Sequence, residues 1–366
     1  KEQVDPAGLN LTTQYAYDQN DNLIKKTDAN GNVTRYWYDA DNRLVYTLDA
    51  LNGLIQNDYD NNGRVTKVTA YANALVGLSA TPTAAEIAGK IVVSANDAIS
   101  RTVYDKDGRA VFSINSLNQV TQKFYDNNGN VVKTVAYANA ITLPGTLSVA
   151  TVTAALTPSA ADHVSRTVYD AGNRAVYSID VLGQVSQNDY DANGNVVKTT
   201  QYATAIVIPA TPTLANVASA LTTSANDRIT RRVYDNAGRQ VYTVDALGYV
   251  KETQYDAGGR IQATVQYATA LTPADRTLAQ MQTALAGITN NALDQKNSFT
   301  YDKAGRLIAS VDAEGYDEAY GYDAVGNKIS FKNKKDSVWT YQYDKANRLT
   351  REISPQVEVT RLTQNA

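Results

Sequence analysis

Apolar and polar residues alternate along this chain in short runs, as in Arg174-Ala175-Val176-Tyr177-Ser178-Ile179. A period of two is the pattern of a strand with one covered face. Turn-forming residues bound each run, so the pattern predicts strands joined by tight hairpins. Four segments break it. They are rich in Ala, Thr, Ser and Leu, and their apolar residues fall at Ala84/Ile87/Ile91, Val149/Val152/Leu156, Leu214/Val217/Leu221 and Leu278/Met281/Leu285. That spacing is one face of a helix of about three turns. Thr83 with Glu86 and Thr277 with Gln280 have the spacing of a capping box, and Ser148 and Thr213 are caps without the second partner. A low-complexity linker is the alternative. The phase argues for helices, because the last apolar residue of each of the first three segments precedes a Tyr-Asp pair by 13 residues.

Those pairs are the backbone of the pattern. Tyr-Asp stands at 17, 38, 59, 104, 125, 169, 190, 234, 255, 301, 322 and 343, in steps of 21 residues wherever no helical segment intervenes. An internal repeat this regular sets the architecture. Three residues after each Asp comes Gly, Asn or Asp: Asp21, Asn42, Gly63, Gly108, Gly129, Asn173, Gly194, Gly238, Gly259, Gly305, Gly326 and Asn347. These types tolerate positive φ best, so a type I turn followed by a left-handed residue is expected, with the Asp accepting from backbone N–H groups one and two residues on. The next residue is Arg or Asn in every unit. A second turn of the same kind follows at Asp28–Gly31, Asp180–Gly183, Asp245–Gly248 and Asp312–Gly315, with a weaker copy at Asn115–Asn118.

The expected fold class is therefore all-β: a solenoid-like, spiralling strip of antiparallel hairpins with four short amphipathic helical inserts laid against one face or edge. Repeats at 1–75, 100–141, 165–206, 230–271 and 298–366 alternate with helical inserts at 76–99, 142–164, 207–229 and 272–297 in one continuous body, 1–366. Tyr104, Tyr169, Tyr234 and Tyr301 lie 65, 65 and 67 residues apart and mark a longer super-repeat. Val4-Asp5-Pro6-Ala7-Gly8 reads as half a unit entered from upstream, and the chain reads as a segment of something longer. Two strands per unit at about 4.8 Å give a strip of roughly 115 Å, which the usual twist would coil.

Tyr at a strand end covers apolar area with its ring and keeps its hydroxyl near the turn. There are 25 Tyr against 4 Phe, which fits either a structural ladder or an aromatic platform for sugars. Trp37 and Trp339 are expected in core or cross-strand packing. The net charge of −3 is dispersed and gives nucleic acid or anionic membrane no electrostatic support. No run of 18 apolar residues exists to span a bilayer, and cysteine is absent, which fits a secreted or envelope protein. The one histidine, His163, stands where neighbouring super-repeats hold Ala98 and Arg228, so it is expected to be exposed and without a catalytic role. No catalytic, cofactor or metal residue is singled out. Asp60-Asn61-Asn62-Gly63 and Asp191-Ala192-Asn193-Gly194 offer at most weak Ca²⁺ binding, since Tyr71 and Tyr202 stand where an EF-hand needs its glutamate. Lys332–Lys335 reads as a solvated loop.

The consensus Tyr-Asp-x-x-Gly-Arg-x-x-x-x-x-x-Asp-x-x-Gly resembles the YD repeat of the RHS family, which includes bacterial polymorphic toxins, shell subunits of insecticidal toxin complexes and, more distantly, teneurins. Tyr104-Asp105, Gly108 and Arg109 match it closely, as do Tyr234-Asp235, Gly238 and Arg239, and Tyr301-Asp302, Gly305 and Arg306; Tyr169-Asp170 follows the same pattern. The resemblance implies a β-shell or ribbon that encloses a cargo such as a C-terminal toxin domain or builds an extracellular assembly, with no enzymatic role. Its partners would be other segments of the same long chain or copies of itself, and its place secreted or at the bacterial surface. A glycan-binding or adhesive surface module is the alternative. Asp5-Pro6-Ala7-Gly8-Leu9 resembles the motif near the autoproteolytic site of RHS shells, yet it stands at the start of the repeats without a following Gly-Gly, and a turn is the expected reading.

Overall fold

The computed structural model describes residues 12–290 and 292–355, so Asp5–Leu9 lies outside the described residues. Twenty-four strands and four helices form the described chain. The opening strands are β1 (Thr12–Tyr17), β2 (Leu23–Thr27), β3 (Val33–Tyr38), β4 (Leu44–Leu48), β5 (Leu54–Tyr59) and β6 (Val65–Ala70). Helix α1 (Ala84–Lys90) precedes β7 (Ala98–Tyr104), β8 (Ala110–Ile114), β9 (Val120–Tyr125) and β10 (Val131–Ala136). Helix α2 (Val149–Ala155) precedes β11 (His163–Tyr169), β12 (Ala175–Ile179), β13 (Val185–Tyr190) and β14 (Val196–Gln201). Helix α3 (Leu214–Ala220) precedes β15 (Arg228–Tyr234), β16 (Gln240–Val244), β17 (Val250–Tyr255) and β18 (Ile261–Gln266). After α4 (Leu278–Ala286) come β19 (Gln295–Tyr301), β20 (Leu307–Val311), β21 (Asp317–Tyr322), β22 (Lys328–Lys332), β23 (Val338–Tyr343) and β24 (Leu349–Ile353).

From β1 to β7, from β8 to β19 and from β21 to β24, strands adjacent in sequence pair antiparallel, as a meander of hairpins requires. The register slips just before the strand-end Tyr, between Val233 and Tyr234 for example, which is the bulge that a left-handed turn residue imposes. All twelve expected left-handed positions have positive φ, from 60° at Asn42 and Asn173 to 103° at Gly326. The second turn is commoner than the sequence reading had it: Asn52 and Asp336 are also left-handed. Lys332–Lys335 accordingly falls in a hairpin, with Lys332 paired to Asp317 at 2.8 Å and Asp336 at 3.0 Å.

The chain gathers into two compact units. One holds the described residues up to Thr102, Tyr301–Ser310 and those from Tyr316; within it β24 pairs with β1, setting Thr13 opposite Glu352. The other holds Val103–Thr300 and Val311–Gly315.

Each helix closes a small core of its own. Ile87 of α1 packs with Leu48, Leu54 and Leu75, flanked by Trp37, whose indole N–H donates to the Pro82 carbonyl at 3.1 Å. Val152 of α2 joins Val103, Phe112, Ile114 and Val120; Val217 of α3 joins Val168, Tyr177, Ile179 and Val185; Met281 and Leu285 of α4 join Val233, Tyr242, Val244 and Val250. The central apolar position of each helix, Ile87, Val152, Val217 and Met281, is fully buried. The first three helices have 7 residues, about two turns, because Ile91, Leu156 and Leu221 have already left helical geometry and serve as C-caps.

The capping box expected at Thr277 and Gln280 forms, and the other three caps differ from expectation. Ser148 and Thr213 do form reciprocal capping boxes, with Thr151 and Asn216 as the returning partners. Glu86 does not return to Thr83; its carboxylate accepts from the Ser79 backbone N–H at 2.6 Å and the Ser79 hydroxyl at 2.7 Å. An acid after each helix then ties the insert to the sheet: Asp97 accepts from Ala72 N–H and Ser94 N–H, both at 2.9 Å, and Asp162, Asp227 and Asp294 make the same contacts.

Two measurements check this packing. Ile87→Ala should destabilise the chain by about 2–5 kcal/mol in chemical denaturation, since it empties the centre of a small core. Gly248→Ala should cost more than Gly238→Ala in thermal melts, although both residues have positive φ. A Cβ on Gly248 would collide with the Leu271 carbonyl oxygen, whereas one on Gly238 meets nothing within 4 Å.

Candidate functional site

The repeated constellation is a clasp built from the Tyr-Asp turn. In the unit at Tyr234, the Asp235 Oδ1 accepts from the backbone N–H groups of Ala237 and Arg239, both at 2.9 Å, and Oδ2 accepts from Arg239 Nε at 2.8 Å. The N–H donors therefore stand two and four residues on, where one and two residues on were expected. The fifth turn residue, which sequence reasoning noticed without giving it a role, is the missing half of the clasp. Asp105 with Arg109, Asp170 with Arg174 and Asp302 with Arg306 repeat it, each with Nε to Oδ2 at 2.7 Å. Where the fifth residue is Asn, its amide takes the place of the guanidinium, as from Asn195 to Asp191 at 2.9 Å.

The arginine also reaches the following unit. Arg109 lies over the Tyr125 ring with 4.9 Å to its centroid, Arg174 over Tyr190 at 4.7 Å, Arg239 over Tyr255 at 4.6 Å and Arg306 over Tyr322 at 4.8 Å. The covered tyrosine then reaches back: Tyr125 donates its hydroxyl to the Ala110 carbonyl at 2.8 Å, and Tyr190 to Ala175 at 2.8 Å. Across an insert the same bond spans a longer stretch of sequence, from Tyr234 to the Val196 carbonyl at 3.0 Å and from Tyr169 to Val131 at 3.3 Å. Where the fifth residue is one of these arginines, Asp, Arg and Tyr thus form a run of contacts from one turn to the next. Of the residues singled out in the sequence, Tyr104 and Tyr301 end β7 and β19, and Gly108, Gly238 and Gly305 hold the left-handed corner at 80°, 74° and 83°.

Tyr320, Phe331 and Trp339 stack across β21, β22 and β23 with centroids 5.2 and 5.4 Å apart, Phe331 lying between the other two rings. A cleft of about 740 Å³ beside β15 and the start of α4 contains Asp189 and Arg231, which are already paired with Lys198 at 2.8 Å and Asp275 at 2.6 Å. His163 is exposed at the start of β11. Both carboxylate oxygens of Asp60 and of Asp191 are taken by their own turns. Among the described residues no group of three or more His, Cys, Asp or Glu side chains could hold a metal ion.

One departure from the repeat was not read from the sequence. In three super-repeats a glutamine accepts a tyrosine hydroxyl at 2.6 Å: Gln56 from Tyr71, Gln122 from Tyr137 and Gln187 from Tyr202. In the fourth the position is Glu252, which accepts from Tyr267 at 2.8 Å and Tyr242 at 3.3 Å. Acid and amide have changed places, Gln187-x-Asp189 becoming Glu252-x-Gln254. Burial, then the charge and hydrogen bond of Glu252, push the Tyr242 hydroxyl up to about 12. Laying the four super-repeats over one another would have exposed this exchange.

The clasps predict how stability depends on pH. All twelve Tyr-Asp carboxyls are held below the usual aspartate range. In Asp39, Asp60, Asp170 and Asp256 the side chain of the fifth turn residue contributes most, followed by its backbone N–H. A folded pKa below the unfolded one stabilises above the unfolded value, near 3.9, and that stabilisation is lost as pH falls through the folded values. The melting temperature should therefore be level above pH about 5 and fall steeply below about 4. Asp235→Asn should flatten the acid limb slightly; an unchanged melting temperature down to pH about 2 would contradict the clasp.

Comparison with known proteins places the repeat. No curated protein sequence matches the chain. Among solved structures it is similar to the crystal structure of TcdB2-TccC3-Cdc42, with 16% identity, a TM-score of 0.46, and coverage of 92% of this chain and 16% of the other. It is also similar to TcdB2-TccC3 without its hypervariable C-terminal region, with 16% identity, a TM-score of 0.47 and coverage of 92% and 16%. A third likeness is to the Photorhabdus luminescens Tc holotoxin pore carrying a point mutation in TccC3, with 14% identity, a TM-score of 0.44 and coverage of 94% and 17%. The chain spans 16–17% of the length of these solved chains. Residues 17–53 and 301–330 match the RHS Repeat family model, and each of these stretches contains two of the Tyr-Asp clasps described above. The Tyr-Asp turns within these two stretches are thus RHS repeats by the family model that matches them.

Proposed function

We propose that this chain is a structural wall segment of a large bacterial RHS-type protein, and that the wall either shields a cargo such as a toxin domain or builds an extracellular assembly. The observation that carries this reading is the clasp itself. The donors and acceptors that the repeat supplies at its turns are turned inward, Asp to Arg or Asn, Arg to the next Tyr, and Tyr to the previous backbone. A repeat that directs its polar side chains to its neighbours builds surface, and the role is non-catalytic. The compact cores under the four helices stiffen that surface at intervals. Secretion or display at the cell surface agrees with a chain that has no cysteine, and among the described residues no helix is long and apolar enough to cross a membrane.

Electron microscopy of the longest protein containing this segment tests the proposal. A β-wall with density enclosed by it, or a regular assembly built from it, is the expected result. A segment that stands apart from any wall, or that is retained on polysaccharide columns through its aromatic residues, would replace this reading with a surface-binding one.

A further inference from the structure

The fifth turn residue is arginine in eight units and asparagine in four, and the left-handed residue of the following unit is not independent of that choice. Arg43, Arg64, Arg109, Arg174, Arg239, Arg260 and Arg306 are followed by glycine, at 63, 108, 129, 194, 259, 305 and 326. Asn22, Asn130 and Asn327 are followed by asparagine, at 42, 173 and 347. Asn195, followed by Gly238, departs from the pattern. The eighth arginine, Arg348, belongs to the last unit, and the structure brings it against the first: it lies over the Tyr17 ring at 5.2 Å and donates to the Asp18 carbonyl at 3.2 Å. The left-handed residue there is Asp21.

The geometry supplies a reason for each pairing. An asparagine side chain is too short to cover the next ring, and its amide has a second N–H after serving its own Asp. The left-handed asparagine of the next unit accepts it: Asn22 donates to Asn42 Oδ1 at 2.9 Å, Asn130 to Asn173 at 3.1 Å and Asn327 to Asn347 at 3.1 Å. Asn20 and Asn128 add second donors to Asn42 and Asn173, at 3.0 and 2.8 Å. An arginine instead spreads over the next tyrosine and close to the next turn. A Cβ on Gly259 would lie 3.5 Å from Arg239 Nη1 and one on Gly63 3.7 Å from Arg43 Nη1, both ordinary contacts, and Gly129 and Gly194, which follow Arg109 and Arg174, would meet nothing within 4 Å, so the glycine answers to the lack of a donor seeking an acceptor and not to crowding. Glycine takes positive φ at the lowest cost where no acceptor is required. At Asp21 the acceptor is a carboxylate, and Arg348 Nη1 pairs with it at 2.6 Å. Every left-handed Asn or Asp in the Tyr-Asp turns therefore accepts a hydrogen bond from another unit.

We propose that adjoining units of this chain recognise one another through these two positions: arginine with glycine, asparagine with asparagine, and arginine with aspartate at the Tyr17–Asp21 edge. The rule assigns that edge a partner of defined chemistry, an arginine-ended repeat, which here is the unit of Arg348. It specifies which unit can follow which, information that the shared Tyr-Asp framework, identical in all units, does not hold.

Two double-substitution cycles in the full 366-residue chain test the rule by thermal melting. In the first, Asn22→Arg, Asn42→Gly and the pair are compared. The double variant converts an asparagine pair to the arginine and glycine form, and its melting temperature should lie several degrees above the sum of the single shifts. In the second, Arg348→Asn, Asp21→Asn and the pair are compared, and the pair should lose less than the sum of the single losses and lose the parent's sensitivity to salt. Simple additivity in both cycles would overturn the rule. If a single variant fails to fold, a folded double variant is the predicted rescue, and a double variant that also fails counts against the rule.

Discussion

A left-handed residue closing a hairpin costs free energy unless something fixes the turn around it, and in this chain that is the aspartate at the turn's first position. Its carboxylate draws in two backbone N–H groups and the side chain of the fifth residue, so one acid satisfies most of the loop. The bulge that follows rotates the strand-end tyrosine to a place where its ring meets the arginine of the previous unit. The strand pairing, the ladder and the spacing of 21 residues all derive from that local geometry. Ion pairs of partly exposed groups contribute little one at a time. Here their weight comes from repetition in a chain where each unit chiefly contacts its neighbours, so stability accumulates along the repeats and does not reside in one centre.

The helices answer a different need. A sheet of Tyr, Thr, Gln and Asn has few side chains that can bury deeply, and a two-strand unit does not enclose a core. Each insert brings one fully buried residue, Ile87, Val152, Val217 or Met281, over three or four strand residues and is then tied back by a single acid such as Asp97 or Asp227. Four small cores at intervals of one super-repeat replace the single interior of a globular domain. The helices can be as short as two turns because tertiary burial and the caps hold them, with little required of intrinsic helix propensity.

Much of this was legible in the sequence. Period-two runs, turn residues and the fixed step gave strands and hairpins nearly residue by residue, because those signals are local. The helix phase was legible too, though Ile91, Leu156 and Leu221 looked like a third turn when they are the first extended residues packed beside it. What stayed hidden depends on neighbours 15 to 45 residues away. Arginine and asparagine at the fifth position were visible as a pattern, yet their role requires knowing which ring and which turn lie across the strand gap. Thr151 and Asn216 complete capping boxes although neither is the usual Glu or Gln, and Glu86, which is, turns to Ser79. Glu252 was hidden for the opposite reason, since an acid among many acids attracts no notice until the super-repeats are superposed.

The contrast between shared and varying positions bears on what such a chain can do. Tyr and Asp are invariant across the twelve units, where the Asp carries the turn and the Tyr bonds back to the preceding backbone, and an invariant position cannot tell one unit from another. Only the fifth residue, the left-handed residue and a few sites such as Glu252 vary while still touching a neighbour. A wall made of identical edges could pair in any register or with any other copy, the hazard that open sheet edges carry. Variation confined to contacts between neighbours lets the units differ without disturbing the hairpin. The sequence of a structural repeat can thus encode its own order of assembly in the few side chains that look least conserved within it.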